Sequence, residues 1–341
     1  MKYSLARFAG AVAAALVLGG CGNTTPITSG TATPAPPYVP NVSAEYPALT
    51  SGSQPSGITK TATSLWFTEE ASDKIGELDE TAKISEFPVP TANAKPLSIA
   101  LGQDGNLWFT EYGAAQVGRV TTNGEAFVEC VLPTQNGKTP TPYGIVSGPD
   151  GNLWVTDPAS NGLWRVTTTC GASFFPLATA NAGPESITVG PNGALWFTEV
   201  TANQIGELYP SQAGGTRPTE FPVTAGAGLG VIVSGNDNAL WFTETLSGKL
   251  GRMLTTGQLA SSITLTGVAA PYGLVLAPDG NFYVGDQTGS KVAQVIVSSG
   301  AVTTYPTKTP NAGVDQLTMG PDNEVYFTEQ TANNVGQFRY F

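Results

Sequence analysis

A five-residue phrase that returns seven times limits this chain more than any other feature. Leu-Trp-Phe-Thr-Glu stands at residues 65–69, 107–111, 195–199 and 240–244. Close variants stand at 153–157, 282–286 and 325–329. The aromatic slot, held by Trp66, Trp108, Trp154, Trp196, Trp241, Tyr283 and Tyr326, recurs at spacings of 42, 46, 42, 45, 42 and 43. It takes five of the six tryptophans, so it is a structural unit and not a coincidence. A period of about 20–50 residues marks units that bury their apolar faces only by stacking on one another. Composition says what the units are made of. Charged residues are only 12%, against about 25% in an average soluble protein, and there are 41 glycines and 26 prolines. Helices draw on Lys, Glu and Arg and exclude Gly and Pro, so the units are β-strands joined by turns.

Each period has the same internal order. A Pro-x-Gly-Ile segment, as in Pro142-Tyr143-Gly144-Ile145, opens strand A. A turn such as Gly148-Pro149-Asp150-Gly151-Asn152 suits a tight reversal and leads to the aromatic phrase, strand B. A short strand C follows, as in Ile75-Gly76-Glu77-Leu78, then an outer strand D, as in Glu86-Phe87-Pro88-Val89. Four strands in about 43 residues match one propeller blade. The seventh period stops at Phe341 after strand C, while Glu45-Tyr46-Pro47-Ala48-Leu49 supplies an unclaimed strand D at the other end. The expected fold is therefore all-β: a seven-bladed β-propeller of four-stranded blades over residues 44–341. A strand at about residues 44–50 closes the last blade and leaves no open sheet edge there.

The repeat Pro-x-Gly-Ile, Gly-Pro-Asp-Gly-Asn-Leu-Trp-Phe-Thr-Glu, Ile-Gly-Arg-Ile, Glu-Phe-Pro resembles that of the streptogramin lyase (virginiamycin B lyase) family of seven-bladed propellers. More loosely it is similar to NHL-repeat and gluconolactonase-type propellers. The resemblance covers residues 44–341 and implies opening of a cyclic ester by β-elimination, with Mg²⁺ polarising the carbonyl. It further implies two histidines at the x positions of the last two blades, and metal-binding glutamates two residues before the second histidine and at the last strand-B acid. Here the histidine positions hold Tyr272 and Asp315, the first glutamate position holds Gly313, and only Glu329 matches. The chain contains no histidine at all. That excludes the commonest general base near neutral pH, His-ligated metals and Ser–His or Cys–His nucleophilic pairs.

In a propeller the D–A and B–C connections surround one mouth of the central channel. The x residues are expected there: Ser56, Leu97, Tyr143, Glu185, Leu229, Tyr272 and Asp315. So are the strand-B acids Glu69, Glu111, Asp157, Glu199, Glu244, Asp286 and Glu329, a ring of seven carboxylates. Such oxygens suit Mg²⁺ or Ca²⁺; alternatively each acid bonds the backbone N–H groups of its own B–C loop. A site must break the seven-fold pattern, which makes Tyr143, Glu185, Tyr272 and Asp315 the candidate ligand contacts, or else wall residues of a plugged channel. Tyr272 and Asp315 are weak catalytic candidates, since tyrosine near pKa 10 is a poor base. Asp286 and Glu329, with Asp315, are the candidate metal ligands.

The first 20 residues combine Lys2 and Arg7 with an apolar run from Phe8 to Leu18. The run is too short for a bilayer, which needs about 20 residues, and reads as a signal sequence. Leu18-Gly19-Gly20-Cys21 resembles a bacterial lipobox, which implies lipid on Cys21. Residues 21–43, with Pro26, Pro34, Pro36, Pro37 and Pro40, read as an extended tether. The chain is expected to be exported and anchored to the cell envelope; Gly22 rather than Asp after the cysteine, by resemblance to enterobacterial sorting, implies the outer membrane where one exists. An exported chain permits a bridge between Cys130 and Cys170, the alternative being two separate thiols. The net charge of −11 repels phosphate backbones and speaks against nucleic acid. These features suggest a membrane-tethered, monomeric binding module taking a small molecule or protein at its mouth. The alternative is a divergent metal-dependent lyase or lactonase.

Overall fold

The structure, a computed structural model, describes residues 39–212 and 217–341. The expected signal sequence, Cys21 and the expected tether up to residue 38 lie outside the described residues.

Seven four-stranded antiparallel sheets follow one another along the chain. Blade 1 comprises Pro55–Lys60, Leu65–Glu69, Lys74–Leu78 and Ile84–Pro88 as strands A to D. Blades 2 to 6 span residues 96–131, 145–176, 184–222, 229–264 and 271–306. Blade 7 takes strands A to C from Val314–Met319, Val325–Glu329 and Asn334–Arg339, and its outer strand from Asn41–Pro47. This closing strand begins three residues before position 44. Asn41 pairs with Arg339 across a bulge at Val42/Ala44, and the Val42 side chain is buried in the core between blades 6 and 7. The ladder stops at Pro47 because the chain then turns toward blade 1, where the Thr50 N–H donates to Glu86 Oε1 at 2.7 Å.

The core is divided into seven pads, one between each pair of neighbouring blades. The pad between blades 1 and 2 packs Trp66 and Ile75 against Ile99, Leu107 and Phe109; that between blades 4 and 5 packs Trp196 and Ile205 against Ile232, Leu240 and Phe242. Each strand-B tryptophan removes roughly 200 Å² from water, about 5 kcal/mol gross. Its indole N–H donates to a turn residue, as Trp108 and Trp154 do to Asp104 and Asp150.

Two local rules make the blades stack. In five blades the strand-B Phe lies opposite a strand-C Gly, as in Phe67 with Gly76 and Phe109 with Gly118. A Cβ on either glycine would overlap the facing ring. Blade 3 inverts the arrangement, with Val155 opposite Trp164, so the tryptophan outside the repeat fills the volume that Phe fills elsewhere. Blade 2 is stapled to blade 3 by a Cys130–Cys170 disulfide, whose Cα atoms are 5.1 Å apart.

Candidate functional site

The Pro-x-Gly-Ile segments become β-bulges. In blade 1 the register with strand B shifts between Pro55 and Ile58, and the same shift recurs at Pro96/Ile99, Pro184/Ile187, Pro271/Leu274 and Val314/Leu317. A bulge bends the strand and re-aims a side chain. The strand-B threonine fixes it in place: Thr68 accepts from the Gly57 N–H at 2.9 Å and donates to the Leu97 carbonyl of the next blade at 2.8 Å. Thr110, Thr243 and Thr328 likewise donate to the carbonyls of Tyr143, Tyr272 and Ser56. Each of these threonines thus fixes the mouth residue of the neighbouring blade. Blade 6 carries Gly285 in place of this threonine.

Register also corrects one assignment. Leu229 pairs with Glu244 as Pro184 pairs with Glu199, so Leu229 occupies the proline position and the x residue of blade 5 is Gly230. The slip arises because blade 5 has no proline to mark the bulge. A Cβ at Gly230 would lie 3.1 Å from Tyr272 Cδ2, so the missing side chain makes room for that ring.

The strand-A entries of the seven blades surround a cavity of about 510 Å³. Tyr143 of blade 3 and Tyr272 of blade 6, on opposite sides of the ring, reach across it until their hydroxyl oxygens are 3.3 Å apart. Tyr112 meets Tyr143 edge-on, with centroids 6.2 Å apart and planes at 84°. Asp315 is nearly buried and accepts from Ser56 Oγ at 3.0 Å and Gln287 Nε2 at 2.8 Å. Burial raises its carboxyl above the ordinary aspartate value against these two donors, and the Glu70 charge adds to the rise. Burial likewise raises Glu185. Burial and neighbouring carboxylates push both Tyr143 and Tyr272 further up, so both remain neutral phenols.

The strand-B acids do not form a ring at this mouth. None lines the cavity; all seven are buried among the strands. A propeller blade buries both of its faces, so the last strand-B residue points sideways between blades. The residue after it, already in the turn, points up: Glu70, Tyr112, Gln287 and Gln330 line the cavity instead. Counting one residue past each acid is the sequence signal that finds them. The two shorter acids do bond backbone N–H groups. Asp157 accepts from Thr141 and Ser160, and Asp286 from Ala269, Ala270 and Gly289. The longer ones accept no such N–H among the described hydrogen bonds. Glu69 and Glu244 take a serine hydroxyl and Glu329 the Asn334 amide, while both oxygens of Glu111 and Glu199 are buried without a partner. Burial raises Glu69 to about 7 and Glu111, Glu199 and Glu329 to about 8.

This donor set does not fit a divalent ion. The Asp286 oxygens are occupied by N–H groups, Glu329 is held in a buried environment that favours its neutral form, and Asp315 is engaged by Ser56 and Gln287. Among the described residues no group of three or more acids, histidines or cysteines could hold a metal.

A further set of acids, on strand D, had no assigned role in the repeat. Glu86 accepts from Thr50 and Lys74, Glu129 from Thr91, Glu220 from Ala178 and Thr179, and Glu45 from Thr309. Each clasps the chain leaving the preceding blade.

The virginiamycin B lyase family model matches residues 39–222 and 212–340, nearly the whole described chain. The chain belongs to the virginiamycin B lyase family. A streptogramin B lyase structure shares 30% identity over 87% of this chain and 96% of its own, with a TM-score of 0.80. The selenomethionine virginiamycin B lyase of Staphylococcus aureus shares 28% over 87% and 99%, also at 0.80. A catalytically inactive histidine-to-alanine variant of virginiamycin B lyase from S. aureus, solved with quinupristin, shares 27% over 87% and 99%, at 0.81. In that enzyme one histidine decides activity; in this family member there is none.

Proposed function

We propose that this virginiamycin B lyase family member is a ligand-binding propeller: exported, held to the bacterial envelope through lipid on Cys21, and taking a small molecule at the mouth without opening a cyclic ester. One observation carries the reading. The chain has no histidine to act as base, and the two positions where the family resemblance implies histidines hold Tyr272, pushed up as a neutral phenol, and Asp315, engaged by two donors. What remains is a shaped cavity with a few convergent polar groups, the usual form of a small-molecule site.

The test is an assay of the purified full-length protein against a streptogramin B and simple lactones, with and without Mg²⁺ or Ca²⁺. No turnover is expected, and no metal-induced rise in melting temperature. Metal-dependent turnover lost in Asp315→Ala would overturn the reading in favour of an enzyme. The anchor is checked in cells by incorporation of labelled palmitate, expected in the wild type and lost in Cys21→Ala.

A further inference from the structure

The lining of the mouth has a one-sided chemistry. Glu70 and Asp315 contribute carboxyl groups, Tyr112, Tyr143 and Tyr272 contribute rings, and among the described residues no lysine or arginine lines the cavity. Glu185 does not line the cavity, but its charge adds to the rise of both Tyr143 and Tyr272. Tyr112 and Tyr143 stand at 84° with centroids 6.2 Å apart, so they present two walls of a corner. Tyr112 stays 39% exposed at the rim, where a ligand meets it first.

The geometry points to an organic ammonium ligand, a protonated or quaternary amine carried on an apolar group, seated against the Tyr112–Tyr143 corner. The inference rests on the ligand-binding reading above. A cation within about 6 Å of a ring centroid is attracted by the negative face of the ring, and the attraction grows as water is excluded. Quaternary amines gain most from such corners, because they have no N–H to lose to water. Glu70, in the lining, supplies charge complementarity, and the net −11 of the whole chain favours the approach of cations. An anionic ligand would meet those carboxylates with no compensating cation. A neutral one of equal size would gain only the burial term.

The measurement is isothermal titration of the full-length protein with three probes of similar size: benzyltrimethylammonium, benzyl alcohol and benzoate. The ammonium is expected to bind at least about tenfold more tightly than either other probe, and to weaken as salt rises. Tyr112→Phe keeps the ring and is expected to stay within about twofold of wild type; Tyr112→Leu is expected to lose about fivefold or more for the cation only. Glu70→Gln should reduce the salt dependence. Because Tyr112 and Glu70 are not core residues, thermal melts of all three variants should match wild type. Equal binding of the three probes, preference for benzoate, or no binding would each overturn the inference. Lactone turnover would instead defeat the ligand-binding reading and leave the charge preference intact, so the two failures are distinguishable.

Discussion

Glu111 and Glu199 show how one residue type takes a role that its position in the repeat conceals. Both are fully buried, both have two oxygens without partners, and burial lifts both from an ordinary 4.5 to about 8. The fold therefore favours the neutral acid. Below about pH 4.5 the group is protonated folded or unfolded and costs nothing. As pH rises from about 4.5 through 8 the unfolded chain ionises first, and stability falls over that window. Glu111→Gln and Glu199→Gln keep the shape without the charge. Each is expected to raise stability by about 1–2 kcal/mol at pH 8 and to change little at pH 5, as read by calorimetric melts at both values. A gain of equal size at both pH values would show that the carboxyl is not titrating there. Glu86 illustrates the opposite environment: although partly buried, it is held down to about 2 by Lys74 and Thr50. Spacing alone cannot tell these glutamates apart, because the difference is made by donors arriving from other blades.

At the scale of strands, complementary volume decides which blades tolerate which residues. The Phe–Gly pairs and the Val155–Trp164 pair fill the same space in opposite ways. Trp164→Gly is expected to cost about 3–5 kcal/mol through the cavity it leaves. Adding Val155→Phe should return a substantial part of that loss, because it rebuilds the pair used in five other blades; a chemical denaturation cycle of the two single variants and the double reads the coupling. An additive outcome would mean that the pair is not the packing unit. The strands themselves were legible in the sequence, since the aromatic phrase, the turn chemistry and the period fall where strands A to C lie. The bulges were not. Pro-x-Gly-Ile locates the residue that bends toward the channel, but blade 5 lacks the proline, so its pattern points to Leu229 where the bulge places Gly230.

For the whole molecule, stability rests on closing a ring. The strand Asn41–Pro47 completes blade 7, and the strand-D acids clasp four of the joints. The Cys130–Cys170 disulfide closes a 40-residue separation between blades 2 and 3, an arrangement that stabilises by about 2–4 kcal/mol. Reduction, or Cys130→Ser with Cys170→Ser, is expected to lower the denaturation midpoint accordingly without changing the β-rich circular dichroism spectrum. An unchanged midpoint would mean that the bridge does not form in the folded protein.

The sequence by itself determined the strand count, the seven blades, the closing strand and the absence of a histidine base, because these depend on local pattern and composition. It also singled out Tyr143, Tyr272 and Asp315, since a residue that breaks a repeat is visible in one dimension. Only the tertiary structure decided what faces the mouth. A blade buried on both faces turns its terminal acid sideways and lifts the next residue, so Glu70, Tyr112, Gln287 and Gln330 line the cavity while Glu111 and Glu199 lie hidden between blades. The contact between Tyr143 and Tyr272, 129 residues apart in the chain, follows from ring closure, which no period along the chain records.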